Sequence, residues 1–151
     1  MNFKESLAVG QEWEQRMAVW MTKYFANTEW TINDSRDVYR DQHNNQYPDY
    51  ELTSLTTNQK CFIDAKKRNT YHVQGFKCFG FDQKLYNSYV NIAKLHDTKV
   101  YVGFNDPKYD NEHVYILDMS QAPSFKLSFN NQYGNDIAYR WRVCDLLKIK
   151  L

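Results

Sequence analysis

The sequence of 151 residues lacks long apolar runs and is poor in glycine, proline and cysteine. No stretch of about 18 apolar residues occurs, so we expect no membrane-spanning helix and no membrane partner. The N-terminal segment MNFKESLAVGQEWEQRM has no apolar signal-peptide region. Its three cysteines are odd in number and widely spaced, which predicts reduced thiols in a cytoplasmic protein.

Net charge is also small, at +1 from 19 basic and 18 acidic residues. A polyanionic partner would therefore have to be bound by local clusters of basic side chains. Aromatic residues, in contrast, make up 17% of the chain, which argues against global disorder. The length and composition predict a single domain over residues 1–151 with a substantial hydrophobic core.

Apolar periodicity predicts two helices. The first covers residues 4–26, where large apolar side chains recur at steps of three and four. The second runs from about Asp82, a plausible N-cap, to His96. Residues 69–81 are predicted to be irregular. Strand patterns occur at 28–33, 47–53, 60–67, 99–104 and 113–119, and two alternating segments at 124–129 and 137–143 indicate a terminal hairpin.

The order of these elements predicts the fold class. A helix, three strands, a helix and a strand, followed by further strands, imply an α/β protein with a mixed β-sheet flanked by helices. The core of this domain would span about 4–104. The C-terminal strands, over 113–151, would add a β-hairpin to it.

Two neighbouring strands carry acids where apolar residues would be expected. Because strand side chains alternate, Asp64 and Lys66 share one face, and Cys61, Ile63 and Ala65 share the other, a small apolar set suited to lie under a helix. If the two strands pair as a hairpin, Asp49 can face Asp64 across the ladder.

Opposed carboxylates repel one another unless a cation neutralises them. Mg²⁺ suits oxygen ligands on rigid strands, and two carboxylates suffice when a substrate phosphate completes its shell. Such an ion activates a water molecule, and a lysine beside it can stabilise developing charge. On its own, however, the pair Asp64 and Lys66 is better explained by the exposed face of an edge strand.

The combination of Pro48-Asp49 with Asp64-Ala65-Lys66 resembles the PD-(D/E)XK nuclease superfamily, in particular its small resolvase-like or phage-type members. The preceding Gly10 and Glu14 are similar to the Gly-x-x-x-Glu helix start of some members. The resemblance covers about residues 8–104 and implies a restriction-endonuclease-like fold. The spacing of Gln83 before Tyr86 departs from the Gln-x-x-x-Tyr pattern of other branches.

The resemblance assigns roles to individual residues. Asp49 and Asp64 would be catalytic carboxylates that bind Mg²⁺, for which Mn²⁺ can substitute, and Lys66 would be the catalytic lysine. Ala65 would offer its carbonyl oxygen as a further metal ligand. Glu14, at the margin of the apolar helix face, is our candidate for an additional catalytic or metal-binding acid, although a partly exposed flanking acid is the alternative.

A basic and aromatic segment follows the motif. We predict that Lys67, Arg68, Tyr71 and Lys77, with Gln83 at the helix start, contact DNA by holding phosphates and stacking bases. An ordinary solvated loop is the alternative. Arg140 and Arg142 alternate with aromatic residues in the last predicted strand, where they form either a second basic stripe or a simple polar face.

The function expected from this resemblance is Mg²⁺-dependent endonucleolytic cleavage of DNA, with a preference for branched structures such as junctions. A homing or restriction-type enzyme is the next alternative. A nucleic-acid-binding protein that keeps the fold without cutting, and a purely structural protein, are the others. Small nucleases of this fold often act as dimers, so we expect a homodimer or higher homo-oligomer.

Overall fold

The computed structural model describes residues 30–35, 39, 46–132 and 134–150. The predicted first helix and Glu14 lie outside these ranges. Within them the chain forms ten strands and one α-helix, α1, at Gln83–Leu95. The strands are β1 (Trp30–Asp34), β2 (Tyr50–Ser54), β3 (Lys60–Lys67), β4 (Tyr71–Val73), β5 (Phe76–Asp82), β6 (Lys99–Asp106), β7 (Asp110–Asp118), β8 (Phe125–Asn131), β9 (Gly134–Arg142) and β10 (Leu147–Lys150).

Six strands form the first sheet, in the order β1-β2-β3-β6-β7-β10. Strands β3 and β6 are parallel, whereas the other neighbours in this sheet are antiparallel. The connection between the parallel pair contains β4, β5 and α1, as expected for a parallel crossover. The predicted mixed sheet and α/β class are thus confirmed, although most of the described elements are strands.

The helix α1 begins and ends close to the predicted positions. The carboxylate of Asp82 accepts a hydrogen bond from the backbone N–H of Leu85 at 3.0 Å, which confirms Asp82 as the N-cap. Among the described residues, no helix combines the length and apolar character that a bilayer crossing requires.

A second sheet of four strands, in the order β4-β5-β9-β8, corrects the prediction for residues 69–81. This segment is not irregular but contains the β4–β5 hairpin, whose connecting residues Gln74 and Gly75 have φ of 50° and 84°. Two consecutive positive φ angles are the signature of a tight type I′ turn. The predicted C-terminal hairpin is confirmed as β8–β9, and it completes this second sheet.

The main hydrophobic cluster lies between the two sheets and α1. It unites Phe62 and Phe104 of the first sheet with Phe79 and Trp141 of the second, and α1 contributes Leu85, Tyr89 and Ile92. A smaller cluster occupies the opposite face of the first sheet and includes Leu52, Cys61, Ile63, Ala65, Val114 and Ile116. The described helix therefore packs on the face of β3 that carries Phe62 and Asp64, rather than on the small apolar face for which we expected a helix.

Gly80 lies where two strands of the second sheet pack tightly against each other. A Cβ atom at this position would overlap the carbonyl oxygen of Tyr139 and would lie 2.9 Å from Cδ of Arg140. The obstacle includes backbone of the hydrogen-bonded neighbour β9, so a side chain here requires the strand pair to shift.

We therefore expect Gly80→Ala to lower the free energy of unfolding by about 1–3 kcal/mol, the usual range for overpacking. Urea denaturation followed by tryptophan fluorescence measures this loss. Ser128→Ala, at an exposed position of β8, is the control and should change stability by less than about 0.5 kcal/mol. A Gly80→Ala protein as stable as the wild type would contradict the close approach of β5 and β9.

Candidate metal-binding and catalytic site

Asp49 and Asp64 lie opposite each other at the end of the β2–β3 ladder. Tyr50 pairs with Ile63, so the same register places the preceding Asp49 against Asp64. The backbone N–H of Asp49 donates to Oδ1 of Asp64 at 3.2 Å, and the N–H of Ala65 donates to Oδ2 of Asp49 at 3.0 Å. Each carboxylate thus binds the backbone of the opposite strand, and the predicted juxtaposition is confirmed.

The backbone around Asp49 is held from its other side by Ser35. The N–H of Ser35 donates to the carbonyl oxygen of Asp49 at 3.1 Å, and its hydroxyl donates to the carbonyl oxygen of Pro48. Asp49 therefore lies between Ser35 and β3, and each of them donates a backbone N–H to it.

Asp64 is an interior residue, because β3 lies between β2 and β6 and the residue is only 1% exposed. A buried carboxylate requires hydrogen-bond donors or cations. The hydroxyl of Tyr89 donates to Oδ2 at 2.5 Å, and Nζ of Lys66 lies 3.1 Å from the same oxygen. This arrangement excludes the alternative in which Asp64 and Lys66 form a solvated pair on an edge strand.

Tyr89 connects the helix α1 to this acid, and the sequence did not single it out for that role. Burial raises the pKa of Tyr89 well above its ordinary value, and the charge and hydrogen bond of Asp64 raise it further. The hydroxyl therefore stays protonated at neutral pH and acts as a hydrogen-bond donor to Asp64. In the sequence, Tyr89 was marked only by its position on the apolar face of α1. A tyrosine that merely packs in the core would have the same position.

A third acid, Glu51, lies on the same face of the sheet but has other partners. It is 3% exposed, accepts a hydrogen bond from the hydroxyl of Tyr39, and lies 3.6 Å from Nζ of Lys60. These contacts direct Glu51 toward the aromatic rings around Phe62, which Tyr39 contacts edge-on. The acids that meet at the ladder end are thus Asp49 and Asp64.

The donor set is consistent with a hard divalent cation but is sparse. In residues 46–132 and the other described ranges, no group of three or more His, Cys, Asp or Glu side chains has the arrangement of a metal site. Asp49 and Asp64 supply two carboxylates, the number sufficient for Mg²⁺ when substrate oxygens and water complete its shell. Glu14 lies outside the described residues, and the proposed ligand role of the Ala65 carbonyl stays a prediction.

The predicted DNA-contacting residues fall into separate places. Lys67, Arg68 and Tyr71 line one groove of about 460 Å³, together with Asn69, Asp106, Pro107 and Lys108. Lys77 lies in a different cavity, with its Nζ 4.5 Å from the centre of the Tyr109 ring. Gln83 is the first residue of α1. The groove therefore brings together three of the five predicted residues.

Comparison with known proteins adds no family assignment. No protein-family model matches the chain, and no curated protein matches it significantly.

The role of Tyr89 can be tested by Tyr89→Phe, which keeps the ring and removes the hydroxyl donor to Asp64. We expect the free energy of unfolding at pH 7 to fall by about 1–3 kcal/mol, because a buried carboxylate loses a hydrogen bond. Tyr86→Phe, on the same helix, is the control, since Tyr86 stacks on Tyr139 at 4.2 Å. Chemical denaturation of both variants measures the difference.

The same pair of variants gives a pH test with a defined sign. Because the folded protein has a raised pKa at Tyr89, the unfolded chain releases this proton first as the pH rises above about 10. Wild-type stability should therefore decline above pH 10 more steeply than that of Tyr89→Phe, by up to about 1.4 kcal/mol per pH unit. Equal slopes would contradict the buried Tyr89–Asp64 contact.

Proposed function

We propose that this protein is a metal-dependent DNA endonuclease with a restriction-endonuclease-like fold. The observation that carries the proposal is the placement of Asp49 opposite Asp64, with Nζ of Lys66 3.1 Å from the Asp64 carboxylate. Two carboxylates and a lysine on adjacent strands are the constellation that the PD-(D/E)XK resemblance implies.

The topology supports the same proposal. Strands β1, β2 and β3 are an antiparallel series, and β3 is followed, after a crossover that contains α1, by its parallel neighbour β6. This is the order of elements around the motif that the resemblance implies. The β4–β5 hairpin would be an insertion in that crossover, and the second sheet would be an addition to the core.

Each residue at the site has a defined task in this proposal. Asp49 and Asp64 would hold Mg²⁺, with their carboxylates oriented by the backbone N–H groups and by Tyr89. When bound, the ion supplies a Lewis acid and an activated water for attack on phosphorus. Lys66, whose side chain is 20% exposed, orients the attacking water or stabilises negative charge that develops on the phosphate.

A second candidate function is nucleic-acid binding without cleavage. It is favoured by the burial of Asp64, both of whose oxygens already have protein partners, and by the presence of only two carboxylates at the described ladder end.

Within the enzyme class, a junction-selective endonuclease acting as a dimer is our preferred substrate assignment, and a homing or restriction-type enzyme follows it.

Cleavage assays test the proposal. The protein is incubated in Mg²⁺ or Mn²⁺ with supercoiled plasmid, linear duplex, single-stranded and four-way-junction DNA. We expect metal-dependent cleavage, most rapid on the junction. Asp64→Asn and Lys66→Ala should each lower the rate by at least about 100-fold, the effect typical of losing a positioned catalytic group.

The matched control is Lys99→Ala. Lys99 also pairs with an aspartate, Asp118, at 3.2 Å, but this pair is exposed on the same sheet. Its loss should leave cleavage unchanged. If the wild type cleaves no substrate in either metal while still binding DNA, the enzyme proposal is wrong and the binding function is supported.

A further inference from the structure

The outer face of the second sheet carries arginines stacked on aromatic rings. The guanidinium of Arg140 lies 3.9 Å from the centre of the Tyr71 ring, and that of Arg142 lies 4.9 Å from the centre of the Phe76 ring. Tyr71 is 38% exposed and Phe76 is 42% exposed. We call this set of four residues the arginine–aromatic face.

The strand register explains why these side chains are neighbours. Tyr71 pairs with Cys78, which in turn pairs with Arg142, while Arg140 pairs with Gly80. Gly80 leaves room beside Arg140, whose Cδ and Nη1 lie only 2.9 Å from the position that a Cβ would take. The absence of a side chain at this position lets Arg140 extend across β5 toward Tyr71.

Arg140 has no carboxylate partner in the described part of the chain. Its Nη1 donates to the carbonyl oxygen of Tyr139 at 3.0 Å, whereas its buried Nε has no hydrogen-bond partner among the described residues. Burial lowers the pKa of Arg140, and the neighbouring Tyr71 and Cys78 act in the opposite direction. In contrast, Arg142 is paired with Asp145 at 2.7 Å. Arg140 is thus a cation without a carboxylate counter-ion among the described residues.

The groove described above adjoins this face, because Tyr71 lines both. Lys67, Arg68 and Lys108 provide three positive charges there, against one from Asp106 of opposite sign. The carboxylate of Asp106 accepts from the backbone N–H groups of Thr70 and Lys108, so it is already occupied by the main chain. The groove is therefore electropositive, and its volume lies within the range of about 300–1,000 Å³ typical of ligand sites.

We propose that the groove and the arginine–aromatic face bind an unpaired segment of the DNA substrate. Phosphates are held by Lys67, Arg68 and Arg140, and a base stacks on the exposed part of the Tyr71–Arg140 pair. The inference deepens the proposed function, from which it takes DNA as the ligand. It places a single-strand-binding surface outside the Asp49–Asp64 site.

The position of Arg68 connects the two regions. It directly follows β3, the strand that carries Asp64 and Lys66, and it lines the groove. Its backbone N–H donates to the carbonyl oxygen of Asn105 at 3.0 Å, which fixes the start of the groove beside β6. A strand bound in the groove would therefore lie at the end of β3 that carries Lys66. Alternating aromatic and guanidinium groups suit a chain that alternates bases and phosphates.

The test measures fluorescence anisotropy with labelled oligonucleotides in EDTA, which prevents metal-dependent cleavage. The probes are a 12-nucleotide oligo-dT, an abasic strand of equal length, and a 12-base-pair duplex. We expect the wild type to bind oligo-dT most tightly. Tyr71→Leu should weaken oligo-dT binding by about 5-fold or more and leave abasic binding unchanged, since only stacking is lost. Arg140→Gln should weaken both single strands.

Tyr109→Leu is the matched control, because Tyr109 is 40% exposed and also lies beneath a cation, Lys77, but borders the other cavity. It should bind every probe as the wild type does. Arg140→Lys keeps the charge that Arg140→Gln removes. Relative to Arg140→Gln, it should recover binding of the abasic strand more than binding of oligo-dT. Thermal denaturation identifies any variant that fails to fold, and exposed Tyr71 provides the test if Arg140→Gln unfolds.

The outcomes separate this inference from the proposed function. Mg²⁺-dependent cleavage by a protein whose Tyr71→Leu and Arg140→Gln variants bind oligo-dT normally would refute the binding face and keep the endonuclease. Oligo-dT binding that both variants lose, without cleavage of any substrate, would refute the endonuclease and support the face. Equal binding of the three probes would overturn the inference. Poly-glutamate that competes for the protein as tightly as oligo-dT binds would also overturn it.

Discussion

Two acidic side chains at opposed positions of neighbouring strands, inside a sheet, are the constraint on which the rest of this structure depends. Asp49 and Asp64 repel each other, and the low exposure of both reduces screening by water. The surrounding elements each contribute a compensating group. Strand β3 contributes an N–H and the amine of Lys66, Asp49 contributes its own N–H just before β2, and α1 contributes the hydroxyl of Tyr89. An arrangement that needs so many donors is more than a surface ion pair.

Much of this site could be predicted from the sequence because it depends on local rules. The period-two alternation of strands placed Asp64 and Lys66 on one face, and hairpin pairing placed Asp49 opposite Asp64. The N-cap role of Asp82 followed from the chemistry of helix starts. Local rules could not predict that β3 lies in the interior of the sheet. Its interior location depends on parallel pairing with β6, which lies beyond a long crossover.

Three features escaped prediction for different physical reasons. The β4–β5 hairpin was overlooked because Gln74-Gly75 is a less typical type I′ turn than Asn-Gly, although it adopts the same positive φ angles. The Tyr89–Asp64 contact was overlooked because an apolar helix face is fully explained by packing. Only the folded arrangement shows that one hydroxyl on that face meets a carboxylate. The register that brings Arg140 beside Tyr71 likewise required the second sheet to be known.

The crossover between β3 and β6 has a consequence for the order in which the molecule assembles. Strands β2 and β3 are joined by a short loop, so closing their hairpin has a small entropic cost. The helix that carries Tyr89 is distant in sequence, beyond β4 and β5, so its contact with the hairpin closes a longer loop at a larger entropic cost. Loop-closure entropy therefore favours pairing of the two acids before Tyr89 docks. Within the β2–β3 hairpin the two acids already have Lys66 and two backbone N–H groups as partners, and docking of α1 adds the hydroxyl of Tyr89. Docking of the helix therefore completes the set of donors at the acidic site.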